Sequence, residues 1–441
     1  MFGYSMVQMV RNHGSKLDRK LRDQLLTLYR PFKFTPCFLH KSFESYLKKK
    51  KKFNVIVQFN DNESCHLEHE MNTLNQVINR HRRCKPGKDL STVRCSTATV
   101  TPEALEEVFS ECNHIKKVYY DREVQALLDV ATPTVQADEV VRNGSESTGE
   151  GVNVAVIDTG VHPHEDLQGR IVEFVDLVNQ DTEPYDDNGH GTHCAGDVAG
   201  DGAMSMGQYQ APAPKANIIG VKVLDKMGSG SLSTVMEGVQ WCIENQETIG
   251  IDVISMSLGS PANSSYQDED DDPMVDIVET AWEAGMVVCV AAGNEGPEPN
   301  TIASPGISNK VITVGAMDDR DTVERSDDII ANFSSRGPTI YGVTKPDVVA
   351  PGVDIVSLRS PGSYIDKLQK DARVGEYYVM LSGTSMATPI CAGVVALLLE
   401  HDPSLTPDDV KDLLINNAQG LGDPYIYGAG YIQAEEAIPE E

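Results

Sequence analysis

The C-terminal two thirds of the chain alternate short apolar runs with longer amphipathic ones, and this rhythm is the strongest constraint on its fold. Residues 152–157, 217–224, 253–256, 286–291 and 311–314 are rich in Val and Ile and poor in polar residues, whereas residues 235–244 and 275–283 space their apolar positions as a helix does. Strands apolar on both sides are buried on both faces, and strands separated by helices pair in parallel because the helix makes the crossover. The expected fold class is α/β, a mainly parallel sheet with helices on both faces. At 441 residues the chain has room for two or three domains and a large core.

In such sheets the C-terminal ends of the strands form the ligand crevice. Asp158 closes the run Val154-Ala155-Val156-Ile157, and Asn294 follows Val287-Val288-Cys289-Val290 through Ala291-Ala292-Gly293. His190 stands among glycines in Asn188-Gly189-His190-Gly191-Thr192-His193, and Ser385 sits on the small-residue turn Gly383-Thr384-Ser385-Met386-Ala387-Thr388-Pro389 ahead of the apolar residues 390–399. A serine hydroxyl is a poor nucleophile at neutral pH and needs an imidazole to take its proton, with a carboxylate to hold that imidazole's tautomer. Ser385, His190 and Asp158 supply those three groups. Asn294 Nδ2 and the N–H of Ser385 supply donors for the charge that develops on a carbonyl oxygen under attack.

These segments, in this order, resemble the signatures of the subtilisin-type serine endopeptidases, the subtilases, over roughly residues 130 to 440. The resemblance implies a catalytic set of Asp158, His190 and Ser385 with Asn294 as oxyanion donor. It also implies that the substrate backbone lies as an added strand between Gly228-Ser229-Gly230 with Leu232 on one side and Ser257-Leu258-Gly259 on the other. The primary pocket is expected between Ser257–Gly259 and Ala291, Ala292, Gly293 and Asn294, with Ala303 near its floor. Such small walls predict an apolar or aromatic residue before the cleaved bond. The chemistry itself requires no cofactor. Structural calcium is a family habit, and Asp166 in Glu165-Asp166-Leu167 is the residue it would fall to.

Other readings fit less well. The order Asp, His, Ser differs from that of the α/β-hydrolases, and Ala387 stands where their nucleophile elbow has glycine. His190, His193 and Cys194 have metal-like spacing, but His190 is needed in the relay, so His193 is expected to be a packed core histidine and no metal site is expected. A catalytically silent binding or chaperone protein on this fold would not need all four groups. A peptide ligase would favour a thiol where Ser385 stands.

The net charge of −29 excludes nucleic acid and anionic membrane as partners of the main body and leaves polypeptide substrates. Residues 1–52 run against that trend, with 13 Lys and Arg to 3 Asp and Glu. This stretch is expected to be a basic helical extension, amphipathic at residues 17–28 and ending in the Lys48–Lys52 run as a solvated linker. Residues 53–128 give a β-α-β-α-β pattern, expected as a small ferredoxin-like α+β unit with strands at 54–59, 91–100 and 115–120, the last extended by 123–128. By the family resemblance this unit is a prodomain that inhibits the enzyme intramolecularly. The catalytic domain is expected over 129–441, joined through a polar linker at 129–134 that contains Pro133. The acidic run 268–272 is expected to be a solvated loop. Nine cysteines without regular spacing, several in apolar runs, point to buried free thiols and a reducing compartment. With no secretory leader, and apolar runs of about ten residues at most, the expected location is the cytoplasm.

Overall fold

The computed structural model describes residues 5–17, 21–22, 25–26, 28, 32, 40–60, 66–91, 94–120, 128–138, 140–142 and 144–439. The chain divides into two compact units, Met1–Val124 and Gln125–Glu441.

The first unit is a four-stranded antiparallel sheet in the order Lys85–Leu90, Cys95–Val100, Phe53–Phe59, Ile115–Tyr120. The inner strand Phe53–Phe59 buries Phe53, Val55, Val57 and Phe59, the period-two pattern of a strand with one covered face. The helix Leu67–Arg80 contributes Met71, Leu74, Val77 and Ile78 to this core, and Pro102–Glu111 contributes Ala104, Leu105 and Val108. Thr101 caps the second helix, accepting from Ala104 N at 3.3 Å.

The fourth strand is Lys85–Leu90, hidden in the sequence by Pro86-Gly87, which an edge strand tolerates. The continuation at 123–128 lies outside the described residues, apart from Leu128, which opens the next helix. Residue 52 is not a boundary, because Met9, Val10, Leu17, Leu21 and Leu25 are buried in the same cluster as Leu74 and Leu105. The basic run is no linker up to Lys50: His40–Lys50 is a helix, and Lys48 pairs with Glu106. Most of the amphipathic stretch 17–28 lies outside the described residues.

In the second unit the described residues form an eight-stranded sheet ordered Ile329–Ile330, Ile312–Asp318, Val287–Ala291, Val253–Met256, Asn153–Asp158, Asn217–Lys222, Ile171–Asp176, with Val348–Pro351 also beside Ile312–Asp318. Every pairing is parallel except that of the short edge strand Ile329–Ile330. Successive strand residues point to opposite faces. A Cβ on Gly191, in helix His190–Ala199, would sit 3.1 Å from Asp158 Cβ, and one on Gly238, in helix Leu232–Asn245, 3.5 Å from the side chain of Ile157. Those two helices therefore cover opposite faces. Thr384–His401 packs with the first, and Pro273–Glu283 with the second.

The expected linker at 129–134 is instead within the helix Leu128–Thr134, whose Ala131 lies in the main core while Thr132 Oγ1 donates to Gln210 O at 2.8 Å. The acidic run is not simply a loop either, since Asp272 is buried and caps helix Pro273–Glu283 through Met274 N at 2.9 Å. Finally, the apolar runs near the C-terminus join into the 18-residue helix Thr384–His401, long and apolar enough by length and composition to cross a membrane but buried along 83% of its length. Pro389 obscures that continuity in the sequence.

Candidate active site

Asp158 lies fully buried at the end of the strand Asn153–Asp158, where its carboxylate takes both Thr159 N at 2.7 Å and His190 Nδ1 at 2.9 Å. Its backbone carbonyl accepts from Val223 N and Leu224 N, fixing it to the neighbouring strand. His190 begins its helix immediately after Gly189, which adopts φ +106°. Burial opposes a charge on the His190 imidazole, but the Asp158 carboxylate overcomes it and carries the pKa well above the ordinary histidine value. Cys194 Sγ lies 3.7 Å from His190 Nδ1, and burial pushes that thiol up to about 11.

Ser385 stands in the first turn of helix Thr384–His401, and its Oγ donates to Ser257 O at 3.1 Å rather than to His190. Pro389 accounts for a reciprocal bond. Lacking an N–H, it leaves the carbonyl four residues earlier unused within the helix, and Ser257 Oγ donates to that Ser385 carbonyl at 2.7 Å. The Asn294 side chain is oriented by its own bonds: Oδ1 accepts from Thr384 N at 2.9 Å and from Thr384 Oγ1 at 3.1 Å, so Nδ2 remains as the donor beside the start of the helix. Backbone N–H groups of a helix's first turn have no intrahelical acceptor, and Ser385 N is one of them.

Two cavities flank this point. One of about 540 Å³ is lined by Ser257, Leu258, Gly259, Ala291, Gly293, Asn294, Ala303 and Ser385, with the carboxylate-bearing Glu295 at its side. Ala292 does not line it; that residue is fully buried against Val275, Ile302 and Ile307. The second, of about 650 Å³, runs from His190 past Leu224, Gly228, Ser229, Gly230 and Leu232 to Ser257–Gly259. Strand-edge segments thus border both cavities.

Two residues that sequence reasoning passed over hold the site in shape. The buried carboxylate of Asp186 accepts Asn188 N, Gly189 N and Thr159 Oγ1 on one oxygen and Thr192 N and Oγ1 on the other. Burial nonetheless raises its pKa. Lys222, fully buried, donates to Thr159 O at 2.6 Å, Leu224 O at 2.8 Å and Asp187 Oδ1 at 2.9 Å. A charged residue inside an otherwise apolar strand was the available signal for Lys222. For Asp186 it was an Asx pattern just ahead of His190.

His193 is the core histidine expected of it, with Nδ1 to Asp197 at 2.8 Å and Nε2 to Ile355 O at 3.1 Å. Asp166 does not fit calcium. One of its oxygens accepts Met204 N and the other Tyr378 Oη at 2.6 Å, so hydrogen-bond donors stand where a cation would be.

A parallel sheet with a buried carboxylate–imidazole pair at one strand end, and a serine beside an amide at the start of a helix that packs on the helix of that imidazole, is the arrangement of a serine hydrolase of subtilisin type. The model of the subtilase family, Peptidase S8, matches residues 149–430, and the chain belongs to that family as a serine protease. Members catalyse without a cofactor. Serine protease AprX of Bacillus subtilis is 59% identical over the full length of both chains, and Subtilisin E of the same species is 34% identical over 80% of this chain and 83% of its own. Among solved structures, Sphericase superposes with a TM-score of 0.56 at 28% identity, covering 70% of this chain and 99% of its own, and the S41 psychrophilic protease with 0.57 at 29%, covering 70% and 99%.

Proposed function

We propose that this protein is an endopeptidase acting on polypeptide substrates through an acyl-enzyme, with Ser385 as nucleophile, His190 as general base and acid, and Asp158 as its orienting carboxylate. The observation that carries this reading is the pair of 2.9 Å contacts between His190 Nδ1 and the two oxygens of Asp158. They assign the proton to Nδ1 and leave Nε2 free to accept from Ser385 Oγ once that hydroxyl turns away from Ser257 O. Asn294 Nδ2 and Ser385 N then hold the oxyanion. His190 returns the proton to the leaving amine, and water repeats the sequence on the ester.

The substrate lies as an added strand along Ser257–Gly259 and the Gly228–Gly230 segment. The small walls at Gly259, Gly293 and Ala303 support an apolar or aromatic residue before the cleaved bond, with Glu295 as the one carboxylate that would instead favour a cation. Chromogenic peptides ending in Phe, Leu or Lys decide between these.

The ferredoxin-like first unit supports a prodomain that restrains the enzyme and is released by self-cleavage. Because helix Leu128–Thr134 belongs to the second unit, the processed bond lies before Leu128. Seven free cysteines among the described residues, six of them buried, support a cytoplasmic, reducing location. Incubating wild type and Ser385→Ala with casein and a serine-directed covalent inhibitor tests the reading. Wild type should digest casein and take one label, and Ser385→Ala should do neither; an unlabelled, inactive wild type refutes it.

A further inference from the structure

Helix His190–Ala199 ends in a corner where a side-chain cation stands against several backbone oxygens. The last carbonyls of a helix have no partner within it, and its dipole favours positive charge at that end. Arg170 supplies the charge. One guanidinium nitrogen, Nη1, donates to Ala199 O at 2.7 Å and to Ala216 O at 3.0 Å; the other, Nη2, donates to Asp166 O and lies 3.6 Å from Asp201 Oδ2. Three segments therefore meet on one side chain: the turn Glu165–Leu167, the end of the His190 helix and the residue before strand Asn217–Lys222. Arg170 is itself fixed, because its N–H donates to Leu167 O at 3.0 Å and its carbonyl accepts from Ile218 N at 2.7 Å. A guanidinium keeps its charge in such a half-buried place, and its planar fork reaches several acceptors at once.

Further oxygens of the corner also face donors. The Asp166 carboxylate takes Met204 N at 2.9 Å and the buried Tyr378 hydroxyl at 2.6 Å. In the loop after the helix, Gly202 O accepts Ser205 N and Gly207 N, both at 2.9 Å, and Gly200 O accepts Ala211 N at 2.8 Å. A calcium ion draws on about six to eight oxygens, and here N–H and O–H groups already point at them. We infer that Arg170 is the resident cation of this corner, and that the guanidinium and the Asp166–Tyr378 bond hold the end of the His190 helix in place of a structural calcium ion.

The test follows urea unfolding of the full-length protein by Trp fluorescence, in EDTA and in calcium chloride, on a Ser385→Ala background that keeps the outcome separate from the endopeptidase reading. Both tryptophans lie in the second unit. Arg170→Met, which keeps the length of the side chain and removes its charge, should lower the urea midpoint by about 1 M, and calcium should not restore it. Arg170→Lys returns a positive charge without the fork and should recover part of the loss. Any difference between the calcium and EDTA midpoints of the parent, whatever site it comes from, should persist unchanged in Asp166→Asn, because calcium does not act through that carboxylate. A calcium gain that Asp166→Asn abolishes places a metal at the corner and overturns the inference. So does an Arg170→Met midpoint equal to the parent's or brought back to it by calcium, or a Lys variant no more stable than the Met variant. Should Arg170→Met fail to fold, the Asp166→Asn comparison decides alone.

Discussion

Gly189 is required twice over, and the two requirements can be measured apart. At φ +106° a residue with a Cβ is strained by about 1–2 kcal/mol. An alanine there would also place its Cβ 2.6 Å from Ser363 Oγ, closer than real contacts allow. Relief requires Ser363 to rotate and give up the 3.3 Å bond from Asp366 N that caps its helix, worth about 1 kcal/mol. Gly189→Ala should therefore destabilise the second unit by about 2–3 kcal/mol. Both tryptophans, Trp241 and Trp282, lie in that unit, so urea unfolding followed by Trp fluorescence reports on it directly. The measurement is made on a Ser385→Ala background to remove self-digestion. In Ser363→Ala protein the colliding oxygen is gone and the nearest remaining atom, Ser363 Cβ, is 3.4 Å away. There Gly189→Ala should cost about 1 kcal/mol less, leaving only the backbone strain. A cost below about 0.5 kcal/mol, or the same cost in both backgrounds, would refute the reasoning.

Asn294→Ala should lower kcat by about 10²–10³-fold with little change in KM, the loss known for removing this same kind of amide in subtilisin; stopped-assay kinetics check it. The pH profile of kcat/KM should have an acid limb above the ordinary histidine value, because protonated His190 cannot act as a base and Asp158 holds its pKa up. Asp158→Asn should move that limb to lower pH as the rate falls. Lys345, fully buried beside Asp347 and Lys411, has its pKa lowered by burial to about 8 from 10.5. Between those values the unfolded chain binds the proton that the fold has released, so stability should rise with pH across that window, and Lys345→Met should remove the slope in urea midpoints. Ser257→Ala should destabilise by about 1 kcal/mol, because the Ser385 carbonyl would keep only the weak donor Cys194 Sγ at 3.5 Å. The loss should be smaller in Pro389→Ala protein, where residue 389 regains an N–H for that carbonyl.

The parallel core was readable because strands such as Asn153–Asp158 are buried on both faces, and such burial leaves an unbroken apolar run. The candidate site was readable where a side chain ends such a run, as Asp158 does, or follows it within three residues, as Asn294 does. What escaped was structure whose cause is tertiary. Lys85–Leu90 contains a Pro-Gly pair, but Gly87 is needed there, since a Cβ would meet Thr97 Oγ1 at 2.2 Å. Leu128–Thr134 has the composition of a linker and becomes a helix by docking Ala131 into the core. The short helix Tyr364–Leu368 carries no signal of its own, because its order derives from Arg359 and from the backbone at Asp187 and Asn188.

The helix that carries Ser385 packs against the strands Val253–Met256, Val287–Ala291 and Ile312–Asp318 and against the helix of His190. It thus fills the centre of a core whose strands all precede it in the chain, with Val410, Leu414 and residues 431–438 added after it. During synthesis those strands and the Asp158–His190 pair emerge first, around a space that residues 384–401 have yet to occupy. Proteolytic competence is therefore among the last properties this chain acquires: a nascent or truncated copy ending before residue 384 has neither the proposed nucleophile, Ser385, nor a finished interior.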